Sequence, residues 1–242
     1  MFFKMDFSHS SFLDEARDDL KAARCLYEGG LYAQAVYHVQ QSIEKSSKFW
    51  GLTLRMFSYE DLKKLGHNPH KVFKKLFEGA VEMGMVETDL FKRLEDFISG
   101  CLSVDERVRK ICEKLKRDLN FIFVVIEEGQ TPLEALRVFL KEEEDLGIVR
   151  NLEELRGMPE WESVCMCMVD KINREARYVT LQMSLSFLVW GLEANTRYPD
   201  YGKGTVPSDL YSKDTELVKN MPFFMEVQEG CINALYEGCV RK

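Results

Sequence analysis

The hydrophobic and polar positions of residues 31–50 follow the period of an α-helix. Apolar or small side chains recur at spacings of three and four on one side, and polar side chains recur at the same spacings on the other. The first set is Val36, Val39, Ile43, Ser47 and Trp50, and the second set is Gln34, His38, Gln41, Lys45 and Lys48. The pattern predicts an amphipathic helix with one core side and one polar side.

The same period predicts a helix on each side of this one. Ser11 and Asp14 have the spacing of a capping box, which predicts the start of a first helix that ends at Gly29–Gly30. The second helix follows almost at once, so we expect the two to form an antiparallel hairpin. A third helix is predicted after Pro69, because proline suits the first helical turn.

The middle of the chain is also predicted to be helical. A short helix is expected around residues 90–98, and a capping box at Ser103 and Glu106 predicts a long helix that ends at Gly129. Residues 131–134 predict the start of another helix. The apolar seam of the long helix is expected to be Val104, Val108, Ile111, Leu115, Leu119, Ile122 and Ile126.

Two further helical patterns follow Pro159. The first is a long helix whose apolar side is expected to be Val164, Met168, Ile172, Leu181, Leu185, Leu188 and Leu192. The last helix should begin near Lys213, with Pro222 either kinking it or starting a second piece. Because no alternating pattern is long enough for a sheet, the predicted fold class is all-α.

Composition and charge narrow the function classes. The chain has 242 residues, of which 45% are hydrophobic and 30% charged, as is ordinary for a globular protein. Its formal net charge of -7 repels nucleic acid and anionic membrane, so an RNA contact would require a local patch. No segment has the roughly 18 consecutive apolar residues of a membrane span, and Asp6 and Ser8 interrupt any secretory signal. We expect a cytoplasmic protein whose seven cysteines are reduced.

Several separated segments together resemble the HEPN domain family. The family pattern combines "A..DL..A", "G.Y..A...QQ..EK..K", a histidine after a short loop, and "RYPD". Here the matching residues are Ala16, Asp19, Leu20 and Ala23; Gly30, Tyr32, Ala35, Gln40, Gln41, Glu44, Lys45 and Lys48; His67; and Arg197 to Asp200. The resemblance covers roughly residues 11–80 and 175–240. It implies a HEPN-type antiparallel helical bundle from residues 1–80 and 160–242, with residues 81–159 as an inserted helical layer.

The resemblance also implies that the Arg197 segment lies near the second helix and the His67 loop. The candidate ligand-binding residues are therefore His38, Gln41, Glu44, Lys45, Lys48, His67, Arg197, Tyr198 and Asp200. Two interpretations stay open for the polar side of the second helix: a phosphate or nucleotide site, or a solvated or dimer-forming face. Glu44 needs a cationic partner, for which Lys48 and Arg197 are the candidates. Arg197 itself could serve a ligand or act as a structural staple.

Neither a metal site nor the ribonuclease motif of the wider family is expected. His67 and His70 could pair with Cys165 and Cys167 around zinc, but helical residues two apart point in nearly opposite directions. No cofactor is predicted. Many members of the wider family resemble metal-independent ribonucleases in which an Arg precedes a His by five to seven positions. None of the four histidines here has an Arg at that distance.

Three functional hypotheses follow. The first, implied by the resemblance, is a non-catalytic module that binds a nucleotide or a partner such as a nucleotidyltransferase in a toxin–antitoxin-like pair, with homodimerisation. The second is a ribonuclease that uses His67 and Arg197. The third is a structural partner whose inserted helices form the interface.

Overall fold

The chain consists of α-helices, turns and loops in a computed structural model that describes residues 7–66, 69–82, 92, 96, 100–101, 103–120, 122, 124–139, 160–189, 192 and 206–239. No strand occurs among these residues, and the predicted all-α fold class is confirmed. The principal helices are α1 (Phe7–Glu28), α2 (Tyr32–Thr53), α3 (Tyr59–Leu65), α4 (Pro69–Glu82), α5 (Val104–Asp118), α6 (Pro132–Phe139), α7 (Trp161–Val189), α8 (Pro207–Leu210), α9 (Glu216–Lys219) and α10 (Met221–Cys239).

Helices α1 and α2 form the predicted antiparallel hairpin. The turn uses Gly30 at φ +75°, a left-handed conformation that glycine adopts without steric cost, and the Leu31 N–H donates to the Leu26 carbonyl at 2.8 Å. The predicted start of α1 was wrong. The helix begins at Phe7, so Ser11 lies inside it and is not a cap; a Ser–Asp spacing of three also fits the interior of a helix.

Helix α2 is the central helix of the larger compact unit and packs against α1, α4, α8 and α10. Its apolar residues Val36, Val39 and Ile43 are buried, as the period predicted, and Leu13, Ala16 and Leu20 of α1 are buried with them. The chain returns from α2 through a tight bend at which Phe57 lies against Gly51. Helix α3 was not predicted, although Ser58 and Asp61 form a complete capping box at its start.

The prediction of one helix from Val104 to Gly129 was wrong, because α5 ends at Asp118. The Ser103 hydroxyl accepts from the Glu106 N–H at 3.1 Å, so the predicted cap is present. Beyond Asp118 the backbone of Val124 instead binds the amide of Asn173 in α7. Apolar spacing alone could not reveal this partner, which lies 49 residues away. Ile122, a predicted seam residue, is exposed.

Helix α6 begins as predicted, and most of the predicted apolar side of α7 is buried, including Leu181, Leu185 and Leu188. Thr131 caps α6 in a reciprocal arrangement with Glu134, as predicted. In α7, however, Val164 is exposed, whereas Cys165 and Val169 are buried. At the end of the chain α10 starts at Met221, so Pro222 lies in the first turn of a second helical piece, one of its two predicted roles.

The chain divides into two compact units, residues 1–116 with 181–242 and residues 117–180. The predicted bundle of residues 1–80 and 160–242 and the predicted insertion of residues 81–159 stay a prediction. The first unit includes residues 104–116 of α5, which belong to the predicted insertion. Residues 90–98, where a short helix was expected, lie almost entirely outside the described residues.

Candidate functional site

The polar side of α2 is largely buried. Gln41, Glu44 and Lys48 are buried, His38 and Lys45 are half-buried, and only Gln34 is exposed. The interpretation of a solvated helix face is therefore wrong for Gln41, Glu44 and Lys48. Burial of charged groups requires partners, and the structure supplies them from two directions.

Glu44 and Lys48 form an ion pair that also holds the end of α3. Lys48 Nζ lies 2.5 Å from Glu44 Oε1, and the two side chains are 9% and 1% exposed. The same ammonium donates to the carbonyl oxygen of Gly66 at 2.8 Å. Lys48 is thus a partner of Glu44, as one of the two sequence alternatives predicted. Because Gly66 ends α3, the pair fixes the chain immediately before His67 to the side of α2.

His38 and Lys45 face α1 and share the carboxylate of Asp19. His38 Nδ1 lies 2.8 Å from Asp19 Oδ1, and Lys45 Nζ lies 2.8 Å from Asp19 Oδ2 and 3.1 Å from Glu15 Oε2. Burial acts to lower the pKa of Lys45, but its bonds to Asp19 and Glu15 outweigh burial and raise it above the ordinary value. Lys45 therefore stays charged and paired. Glu15 was not predicted for the site, and Asp19 was noted only in the family pattern.

The remaining candidates are outside this geometry. His67, Arg197, Tyr198 and Asp200 lie outside the described residues, as does the side chain of His70. The structure thus joins Glu44 with Lys48, and His38 with Lys45, through partners that hold α2 in place. Whether the late arginine segment meets them stays a prediction.

The family model of the HEPN domain matches residues 9–119. The chain carries a HEPN domain. The match begins in α1 and extends through α5, so it includes the hairpin, the Glu44–Lys48 pair and both partners of Lys45. The predicted family is therefore confirmed. No curated protein and no solved structure matches the chain.

A buried polar network lies beside the core of the HEPN helix α2. Gln182 of α7 donates to the Ile43 carbonyl at 2.9 Å and to the hydroxyl groups of Ser46 and Ser47. Gln228 of α10 donates to the Ser46 hydroxyl at 3.0 Å. These contacts join three helices that are far apart in sequence. The sequence signal for such a contact is a glutamine within a row of apolar residues, as Gln228 is between Phe224 and Cys231. The predictions from the sequence did not include it.

Two consecutive glutamines of α2 have unpaired buried atoms. Neither amide atom of Gln40, nor Nε2 of Gln41, has a hydrogen-bond partner within the described part of the chain. A buried polar group without a partner costs on the order of 1–3 kcal/mol. These amides are therefore groups that internal water or a neighbouring segment would stabilise.

The described residues contain neither a metal-binding cluster nor a membrane-spanning helix. There, no three His, Cys, Asp or Glu side chains form a group that could hold a metal ion. Cys165 is buried and Cys167 is exposed, so the two point to different sides of α7. No described helix is both long and apolar enough to cross a membrane.

Proposed function

We propose that this HEPN protein is a non-catalytic module that works by binding a protein partner. The observation that carries the proposal is the pairing of both candidate lysines, Lys45 with two carboxylates and Lys48 with Glu44 and the Gly66 carbonyl. A phosphate would have to displace these contacts before either ammonium could bind it. Breaking the buried Lys48–Glu44 pair would cost several kcal/mol. Displacing the partly exposed contacts of Lys45 would cost less. Phosphate binding on this side of α2 is therefore unfavourable.

The same geometry opposes catalysis on RNA. Metal-independent cleavage needs a general base beside a cation that stabilises the phosphate. His38 could act as a base, since Asp19 binds its Nδ1, but Lys45, the cation that shares Asp19 with it, is paired with both Asp19 and Glu15. Two carboxylates there repel a phosphate backbone. The ribonuclease alternative then depends on His67 and Arg197.

HEPN domains commonly dimerise, so the first partner that we propose is a second copy of the chain. The resemblance adds a nucleotidyltransferase as a further partner, in a toxin–antitoxin-like pair within the cytoplasm. Sedimentation equilibrium tests the first partner, with an expected mass of twice 28.2 kDa. A mass of 28.2 kDa at every concentration would exclude the homodimer.

Incubation with single-stranded RNA tests the absence of catalysis. The expected result is intact RNA with the unmodified protein. Cleavage that disappears in both His67→Ala and Arg197→Ala would replace our proposal with the ribonuclease alternative.

A thermal-shift series with ribonucleoside mono-, di- and triphosphates tests nucleotide binding. We expect no change in Tm, whereas a nucleotide at ~100 times its Kd would stabilise the fold by ~2.7 kcal/mol. A shift that is lost in Lys45→Met and kept in Lys21→Met, at an exposed lysine of α1, would establish the nucleotide alternative.

A further inference from the structure

The negative charge of the chain is concentrated in its smaller unit. Residues 117–180 contain 14 Asp and Glu but only 8 Lys and Arg, which leaves -6 of the formal net charge of -7. The larger unit is therefore almost neutral. A field of this sign attracts cationic partners and repels RNA, anionic membrane and a second copy of the same unit.

The smaller unit also exposes large apolar side chains. Half of the ten exposed large hydrophobic residues in the described part of the chain lie in it, although it has about a quarter of the sequence. They are Ile122, Val125, Val138, Val164 and Met166. Single exposed hydrophobic residues are ordinary, but a concentration of them surrounded by charge is typical of an interaction site.

Val125 is exposed next to a residue whose backbone is held by two hydrogen bonds. The Val124 N–H donates to Asn173 Oδ1 at 2.6 Å, and Asn173 Nδ2 donates to the Val124 carbonyl at 3.0 Å. This clamp buries the Val124 side chain in a core with Leu136 and Val169. Val125, the next residue, is 60% exposed. The apolar group is therefore presented by a segment that α7 holds in place.

Met166 lies on the same side of α7 as this clamp. Met166 and Asn173 are seven residues apart, which is two helical turns or about 10 Å along the axis. Met166 is 45% exposed. Glu162 and Asp170, one turn before and one turn after Met166, are exposed on the same side. The methionine thus lies in an acidic row, and its flexible side chain suits a binding surface.

Carboxylates accompany the Val125 end of this surface as well. Glu127 and Glu128 follow Val125 within three residues, and both are exposed. Cations follow this row on α7: Lys171 and Arg174 are exposed directly after and one turn after Asp170, and Arg177 is half-buried one turn beyond Asn173, so the acidic row ends at Asp170. Residues 124–128 and 162–173 therefore combine two exposed apolar side chains, Val125 and Met166, with four carboxylates, those of Glu127, Glu128, Glu162 and Asp170.

We propose that residues 124–128 and 162–173 form a docking surface for a basic amphipathic helix of another protein. Asn173, which binds the backbone of Val124 beside Val125, lies about 10 Å along the α7 axis from Met166, and this is the spacing of two apolar residues seven apart on such a helix. Its lysines or arginines would pair with Glu127, Glu128, Glu162 and Asp170. The inference rests on the proposed function, because it specifies the chemistry of the partner.

The test uses the full chain and a fluorescent peptide of leucine and lysine with leucines on one side of a helix. Anisotropy should report binding that weakens as salt is raised. The double variant Val125→Ser/Met166→Ser should lose at least about fivefold in affinity, since central apolar anchors dominate such interfaces. The variant Glu162→Gln/Asp170→Asn should bind more weakly and depend less on salt.

Matched controls separate docking from general attraction to an acidic protein. Leu31→Ser removes an exposed apolar side chain of the larger unit and should leave the peptide affinity unchanged. A peptide of the same composition, with its leucines distributed around the helix, should bind more weakly than the amphipathic one.

Three outcomes would overturn the docking proposal. They are unchanged peptide affinity in Val125→Ser/Met166→Ser, stronger capture of an RNA oligonucleotide or anionic vesicles at this surface, and loss of a homodimer in the same variant. None of them concerns RNA cleavage or a nucleotide-dependent Tm, so failure of this inference is distinguishable from failure of the proposed function.

Discussion

Lys48 and Glu44 form a buried ion pair one helical turn apart, with 2.5 Å between Nζ and Oε1. The lysine also donates to the carbonyl of Gly66, so one ammonium joins α2 to the end of α3. In the sequence this lysine belongs to the polar side of an amphipathic helix. In the fold it is an internal structural group, and this difference decides how α2 can function.

Removing only the cation of this pair should be strongly destabilising. Lys48→Met leaves Glu44 charged in the interior, and we expect the free energy of unfolding to fall by about 3–5 kcal/mol. Urea denaturation measures the loss. The double variant Lys48→Met/Glu44→Leu should be more stable than Lys48→Met alone, because it removes the buried carboxylate as well. A double variant whose loss equals the sum of the two single losses would contradict this interpretation.

The carboxylate of Asp19 should contribute more than its exposed neighbour. Asp19→Asn weakens the contacts with both His38 and Lys45, and we expect a loss of roughly 1–2 kcal/mol, reduced by the partial exposure of both partners. Asp18→Asn is the matched control, since Asp18 pairs with Lys21 on the surface and should contribute about 0–1 kcal/mol. Equal losses in urea denaturation would show that the shared carboxylate has no special role.

The bend after α2 should not tolerate a side chain at Gly51. A Cβ atom there would lie 2.0 Å from the Phe57 ring, which the packed core cannot accommodate without moving the ring. Gly51→Ala should therefore cost about 1–3 kcal/mol through overpacking. Gly51→Ala/Phe57→Leu should recover part of the loss in the same denaturation assay, and no recovery would locate the strain elsewhere.

The free thiols should divide into a reactive and an unreactive group. Cys25 and Cys167 are exposed, whereas Cys112, Cys165 and Cys231 are buried. Burial raises the pKa of Cys112 to about 11 and that of Cys231 to about 12, so both stay protonated near pH 8. Iodoacetamide with peptide mass spectrometry should label the exposed pair first, and label the buried thiols only in denaturant. Rapid native labelling of Cys231 would contradict the packing of α10.

Stability should fall at alkaline pH through the same buried groups. The pKa of Cys231 is raised from 9.0 to about 12, and that of Tyr211 from 10.0 to about 12, in both cases chiefly by burial. The unfolded chain therefore releases protons first as pH rises above about 9, which favours unfolding. Cys231→Ala should flatten the decline of unfolding free energy between about pH 9 and 11. An unchanged slope would contradict the role of this thiol.

The sequence alone determined the helical class, the α1–α2 hairpin and the HEPN membership. Each of these depends on local information, namely the spacing of apolar residues, glycine at a left-handed turn and a short family pattern in order along the chain. Capping residues at Ser103 and Thr131 likewise located the starts of α5 and α6, since a cap involves residues only three apart.

Only the tertiary structure decided which polar residues are internal. Lys45 and His38 bind residues of α1, and Gln182 and Gln228 bind serines of α2. Asn173 of α7 binds the backbone of Val124, beyond the end of α5. Helical period assigns a residue to a side but does not say what covers that side. The partners come from 19 to 182 residues away, and such contacts depend on the packing of whole helices.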